Sequence, residues 1–173
     1  LISENKKAIT NTIDCRIEIL KEKAVLFLSY IGDYNNFSSS IFEEGSWNKL
    51  YDFAFFQNIL PEDEEYWGIC YDNQEITDSE KCRFYACLTI SNLIPRRITD
   101  EIKCMTISSS QYAVFTHIGA YEGLDHFYDT AIQSIPLKYR LSDNLILERY
   151  LNSSTDTPDS ELVTELWMPI EKY

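Results

Sequence analysis

Phe115-Thr-His-Ile-Gly-Ala-Tyr121 has an echo far upstream, Phe27-Leu-Ser-Tyr-Ile-Gly-Asp-Tyr34. Anchored on the glycine, Ile118-Gly119-x-Tyr121 matches Ile31-Gly32-x-Tyr34, and Gly119 lies 87 residues after Gly32. Self-similarity at a fixed spacing marks a chain built from repeated units. A helical pattern follows each copy. Trp47, Leu50, Tyr51, Ala54 and Phe55 fall at i, i+3, i+4, i+7 and i+8, one face of a 3.6-residue period. Leu124, Phe127, Tyr128, Ala131, Ile132 and Ile135 repeat that face, and Pro136 stops it. Ser40 with Glu43 has the spacing of a capping box before the first helix, although Gly45 blurs that boundary.

Two strand-like runs follow each helix. Trp67–Asn73 parallels Leu147–Asn152, with Tyr71 set against Tyr150, and Phe84–Ile90 parallels Thr164–Ile170, with Tyr85 set against Glu165. A pair of strands also precedes each glycine: Arg16–Leu20 with Ala24–Ile31, then Ile102–Ser108 with Tyr112–Ile118. The expectation is an α+β domain of two ββαββ halves, about 14–92 and 100–173, each of antiparallel hairpins with one helix, giving an antiparallel sheet with two main helices. Each half alone buries too little apolar surface, so the halves pack around a shared interface, where clefts commonly bind ligands. Residues 1–13 are polar and read as the remnant of a linker, and a start at Leu1 reads as a domain cut from a longer chain.

Composition narrows the function. The net charge of −13 repels nucleic acid, whose phosphates need clustered Lys and Arg, and suits cationic ligands or basic partners. Cys15, Cys70, Cys82, Cys87 and Cys104 are odd in number and lack CxxC spacing, which fits a reducing cytoplasm and no zinc site. No apolar run reaches the length of a membrane span. No phosphate-binding glycine loop occurs, and His117 and His126 lack metal-ligand spacing, so no cofactor or metal is expected. Twelve tyrosines among 14% aromatics supply strand packing and also the walls of a pocket.

Arg83–Ile90, Gln111–Glu122, Leu147–Asn152 and Glu161–Ile170 together resemble the GyrI-like (gyrase-inhibitor-like) effector-binding family. Tyr112-Ala-Val-Phe-Thr-His-Ile-Gly-Ala-Tyr121 and the closing Glu165-to-Pro169 strand carry the resemblance, over about residues 14–173. It implies halves related by a pseudo-twofold axis. It also implies a sensor for lipophilic, often cationic, small molecules, as found in the C-terminal half of AraC-type transcription regulators. DNA would then be reached only through a DNA-binding domain absent from this chain. Within the family some members inhibit DNA gyrase and some hydrolyse strained small molecules.

Glu165 is the leading site candidate. Period two puts Val163, Glu165 and Trp167 on one strand face. A carboxylate withdrawn from water needs a partner, which is a cationic ligand, an Arg or Lys, or solvent at a sheet edge. Tyr85, at the repeat-equivalent position, is expected on the opposite wall of the same cleft. Trp67, Tyr71, Tyr112 and Tyr150 are further wall candidates or core residues. Three functions compete: a ligand-binding module of a regulator, a hydrolase using Tyr85 and Glu165 as an acid–base pair, and an acidic module that binds gyrase.

Overall fold

The inner strands of this chain are covered on both faces, so Val25–Leu28, Ala86–Thr89 and Thr164–Ile170 are buried without a break. The computed structural model describes residues 12–34, 45–93, 95 and 98–173. Among them nine strands and two helices form one α+β unit. The strands are β1 (Arg16–Leu20), β2 (Lys23–Ile31), β3 (Tyr66–Cys70), β4 (Arg83–Thr89) and β5 (Lys103–Ile107), then β6 (Ser110–Ile118), β7 (Tyr139–Leu141), β8 (Ile146–Tyr150) and β9 (Val163–Lys172). The helices are α1 (Ser46–Phe56) and α2 (Leu124–Gln133). Residues 1–11 of the expected linker and the Ser40–Glu43 capping box lie outside the described residues. The first described helix begins after Gly45, whose φ of 70° is a left-handed conformation open to glycine.

All pairings are antiparallel, in the order β1-β6-β9-β8-β3-β4-β2-β5, with the short β7 added to the end of β9. The order reads the same from either edge once β1, β2, β3 and β4 are set against β5, β6, β8 and β9. The registers agree as well. Tyr85 lies opposite Ser29 and Ile69, and Glu165 opposite Thr116 and Arg149. The Gly32 N–H donates to the Cys82 carbonyl at 2.8 Å, and the Gly119 N–H to the Leu162 carbonyl at 2.9 Å. Each glycine sits at positive φ, 155° and 138°, where a side chain would be strained. By this register Cys70, not Tyr71, corresponds to Tyr150.

One expectation is corrected. The strand pairs before each glycine are not hairpins. β1 pairs with β6, so Arg16 faces Val114, and β5 pairs with β2, so Lys103 faces Phe27. Each half gives its first strand to the other. The alternation of apolar residues predicts strands but is blind to which neighbour a strand chooses.

The two faces of the sheet differ. One carries the helices, with Leu26, Leu28, Phe84, Ala86 and Leu88 packed on Trp47, Leu50 and Ala54 of α1. Ala113, Phe115, Leu166 and Met168 pack with Ala131 of α2. The other face buries Val25, Phe27, Trp67, Ile69, Val114, Leu147 and Trp167 in one cluster. That cluster also contains Leu20 from one edge strand and Ile107 from the other. Both edges meeting over one face means that the sheet curls into a half-barrel.

Candidate functional site

The helix-bearing face holds a cavity of about 910 Å³ over the seam between β3 and β8. That is ample for a drug-sized ligand. Its walls come from Cys70 at the end of β3, Phe84 of β4, Tyr121, and one stripe of α2. Asp125, Tyr128, Asp129 and Ile132 form that stripe at i, i+3, i+4 and i+7, which places them on a single helix face. Tyr121 meets Tyr150 edge to face, with centroids 6.1 Å apart, and Trp47 packs on the same ring at 5.7 Å.

Glu148 lies on the floor. Period two along β8 turns Glu148 and Tyr150 toward the helices while Leu147 and Arg149 face away. The Glu148 side chain is buried, at 7% exposure. It accepts hydrogen bonds from the Tyr128 hydroxyl at 2.6 Å, the Tyr150 hydroxyl at 2.5 Å and the Cys70 thiol at 3.9 Å. Among the described residues no Lys or Arg forms an ion pair with it. Burial raises its carboxyl above the ordinary carboxylate range, against the pull of the two tyrosine hydroxyls. Burial also pushes Tyr128, Tyr150 and Cys70 well up, with the Glu148 charge adding to it, so all three stay protonated as donors.

Gly68 makes this arrangement possible. It pairs across the strands with Glu148, and a Cβ there would stand 2.6 Å from the Tyr150 hydroxyl and 2.7 Å from Phe84 Cζ. The missing side chain is the space in which Tyr150 reaches Glu148.

The cavity lining is acidic. Asp72, Glu75, Glu122, Asp125, Asp129 and Asp143 join Glu148, and no Lys or Arg is among the described lining residues. Asp72 is already held by Arg83, at 2.9 Å. No group of three or more His, Cys, Asp and Glu with metal-holding geometry occurs among the described residues.

The sequence candidates divide between the faces. Tyr150 lines the cavity, and so does Tyr71, whose ring also lies tilted against Tyr85, with centroids 4.4 Å apart. Glu165, Trp167, Trp67, Tyr112 and Tyr85 belong to the opposite face. There Glu165 pairs with Arg16, and with Arg149 at 3.7 Å. Its own indole neighbour, Trp167, donates to it at 3.4 Å. Glu65 repeats the motif two residues before Trp67, taking that indole N–H at 3.4 Å, Lys23 at 2.8 Å and Arg149 at 3.0 Å. Trp67 and Trp167 meet edge to face at 5.2 Å. The result is an alternating ladder, Lys23–Glu65–Arg149–Glu165–Arg16–Glu18, laid across the inside of the curl. Tyr85 and Glu165 are three strands apart, roughly 14 Å at ordinary strand spacing.

Glu148 is the residue that sequence reasoning passed over. Its signal lay in Leu147-Glu-Arg-Tyr150, where alternation separates Glu148 from Arg149, and in the register that sets it against a glycine.

A family model described as a GyrI-like small molecule binding domain matches residues 13–171. No curated protein sequence matches. Among solved structures, the EcmrR C-terminal domain superposes with a TM-score of 0.70 at 17% identity, over 92% of this chain and 98% of that one. EcmrR in its DNA complex gives 0.72 at 17% identity, over 92% of this chain, which spans 58% of that longer chain. SAV2435 bound to tetraphenylphosphonium gives 0.60 at 16% identity, over 92% and 94% of the two chains. A hydrolase from Listeria innocua gives 0.66 at 12% identity, over 92% and 93%. At these identities the likeness is one of fold.

Proposed function

This chain belongs to the GyrI-like small molecule binding domain family, and we propose that it is the effector-binding domain of a bacterial transcription regulator, taking a lipophilic cation into the Glu148 cavity. The observation that carries this is Glu148 itself, a buried carboxylate on the floor of an aromatic cavity, held by hydroxyls and by no described cation. A buried anion without a counter-charge is costly, and an incoming cation relieves that cost. Tyr121, Tyr128, Phe84 and Tyr150 offer ring faces that add cation–π attraction. The SAV2435 complex with tetraphenylphosphonium supports the ligand class, and the EcmrR–DNA complex supports the regulatory role. DNA contact then belongs to a domain outside this chain, AraC-type in the resemblance noted above, in the cytoplasm. No described helix is long and apolar enough to cross a membrane.

Thermal unfolding with a panel of lipophilic cations and neutral analogues tests this. A ligand that binds only the folded state adds about 2.7 kcal/mol at one hundred times its Kd. The expected result is a cation-selective shift in wild type, lost in Glu148→Gln and kept in Glu165→Gln, whose carboxylate belongs to the ladder. Equal shifts for neutral and cationic compounds would refute the role of Glu148.

One observation favours hydrolysis as a second reading. Two protonated tyrosine hydroxyls touch one carboxylate with a raised affinity for protons, which is an acid–base set. Turnover of an epoxide, lost in Glu148→Gln, separates it from binding alone.

A further inference from the structure

The cavity is more acidic than one cation requires. The chain carries 28 Asp and Glu against 15 Lys and Arg, so seven charged residues drawn from it would ordinarily include two or three basic ones. Among the described residues the lining has seven carboxylates and no basic residue. They lie at two depths. Glu148 is buried on the floor, whereas Asp125 and Asp129 on α2, Asp143 before β8 and Glu75 after β3 are exposed at the mouth. Between these levels the walls are apolar: Tyr121, Leu124, Tyr128, Ile132, Ile146 and Met168. Asp125 lines the same cavity, three residues before Tyr128, whose hydroxyl donates to Glu148.

We infer that the cavity selects an elongated dication, with one cationic end against Glu148, an apolar middle along the walls, and the second cationic end among Asp125, Asp129 and Asp143 at the mouth. This inference rests on the cation-binding role proposed for Glu148. A monocation leaves the mouth charges repelling one another. The second charge of a dication neutralises them, since among the described residues Asp125, Asp129 and Asp143 have no ion pair with Lys or Arg. Each exposed carboxylate pair is weak alone, and two or three together give about a tenfold gain in affinity. That gain is screened by salt, because the mouth is open to solvent.

The test compares a bis(trimethylammonium) alkane with the trimethylammonium alkane of the same chain length, over six to ten methylenes, by calorimetric titration. Wild type, Asp125→Asn/Asp129→Asn and Glu148→Gln are titrated at low and at physiological salt. The inference expects the dication to bind about tenfold tighter than its partner at one length or more. The gain should shrink with salt and vanish in the aspartate double variant. Glu148→Gln should weaken both probes. Equal affinities for the two probes, with the Glu148 dependence intact, would overturn the dication inference and leave the cation site standing. A dication preference that survives in the double variant would overturn the assignment of the mouth. Binding of neither probe, or binding indifferent to Glu148→Gln, would overturn the site itself and the inference with it.

Discussion

Replacing Gly68 by alanine puts one methyl group where Tyr150 and Phe84 now lie. The added Cβ would stand 2.6 Å from the Tyr150 hydroxyl and 2.7 and 2.8 Å from two Phe84 ring carbons, well inside van der Waals contact. Gly68 has ordinary strand backbone, so the effect is steric rather than conformational. Phe84 packs in the core and Tyr150 is wedged among Trp47, Tyr121 and Glu148, so neither ring moves freely. Overpacking costs about 1–3 kcal/mol. A Tyr150 hydroxyl driven off Glu148 removes a hydrogen bond to a charged group, about 1.5–3 kcal/mol. The lower entropy of the unfolded alanine chain returns about 0.4–1 kcal/mol. A net loss near 3 kcal/mol follows, which at ordinary slopes moves the urea midpoint down by about 1–2 M. Tryptophan fluorescence reads the transition, and titration with a cation bound by wild type reads the cavity. Adding Tyr150→Phe relieves the closest contact and should recover part of the stability without restoring affinity. A Gly68→Ala protein with an unmoved midpoint and unchanged affinity would refute the claim that this glycine makes room for the site.

Glu148 also sets a pH dependence. Its folded carboxyl is raised, so the folded state holds the proton more tightly than the unfolded chain. The resulting stability is complete below the unfolded value near 4.5 and is lost as pH rises through the folded value. The stability of wild type relative to Glu148→Gln should therefore fall with increasing pH over that window, read by urea unfolding at several pH values; a flat difference would contradict a buried, proton-retaining Glu148. Arg149→Met cuts the ladder between Glu65 and Glu165 and should cost about 2 kcal/mol, since Glu165 is 6% exposed and keeps Arg16 as its one described cation. A loss below about 0.5 kcal/mol would make the ladder ornamental. Residues 14–92 expressed alone lack β5 and should give an unfolded or self-associating fragment by circular dichroism and sedimentation; a folded monomer would contradict the strand exchange.

Much of this architecture was legible in the residues. Arg16–Leu20 was bounded as the structure has it, and Gly32 and Gly119 mark the two strand ends because each needs positive φ. The match of Tyr85 to Glu165 survives as a shared register. Local pattern carried these. The partners of β1 and β5 were not legible, because an edge strand with one buried face offers the same alternation to either neighbour. The site was half legible for a related reason. Glu148 and Glu165 are both carboxylates within apolar strands, and what separates them is who stands across the sheet. Arg149 faces Glu165, whereas Gly68 faces Glu148. That is information about pairing, and periodicity contains none of it.

The exchanged first strands also govern how the molecule comes into being. Arg16 finds its place only beside Val114, almost a hundred residues later, and β5 must reach back to Phe27. Such pairings give high contact order, and the entropy of closing those loops comes due before the contacts reward it. A chain emerging from the ribosome cannot complete its first half until the second has begun, since β2 waits for β5 and β1 for β6. Until β5 arrives β2 presents a bare edge, which is a hazard for aggregation. Folding of this domain should accordingly be slow, single-stepped and late, with both halves closing together.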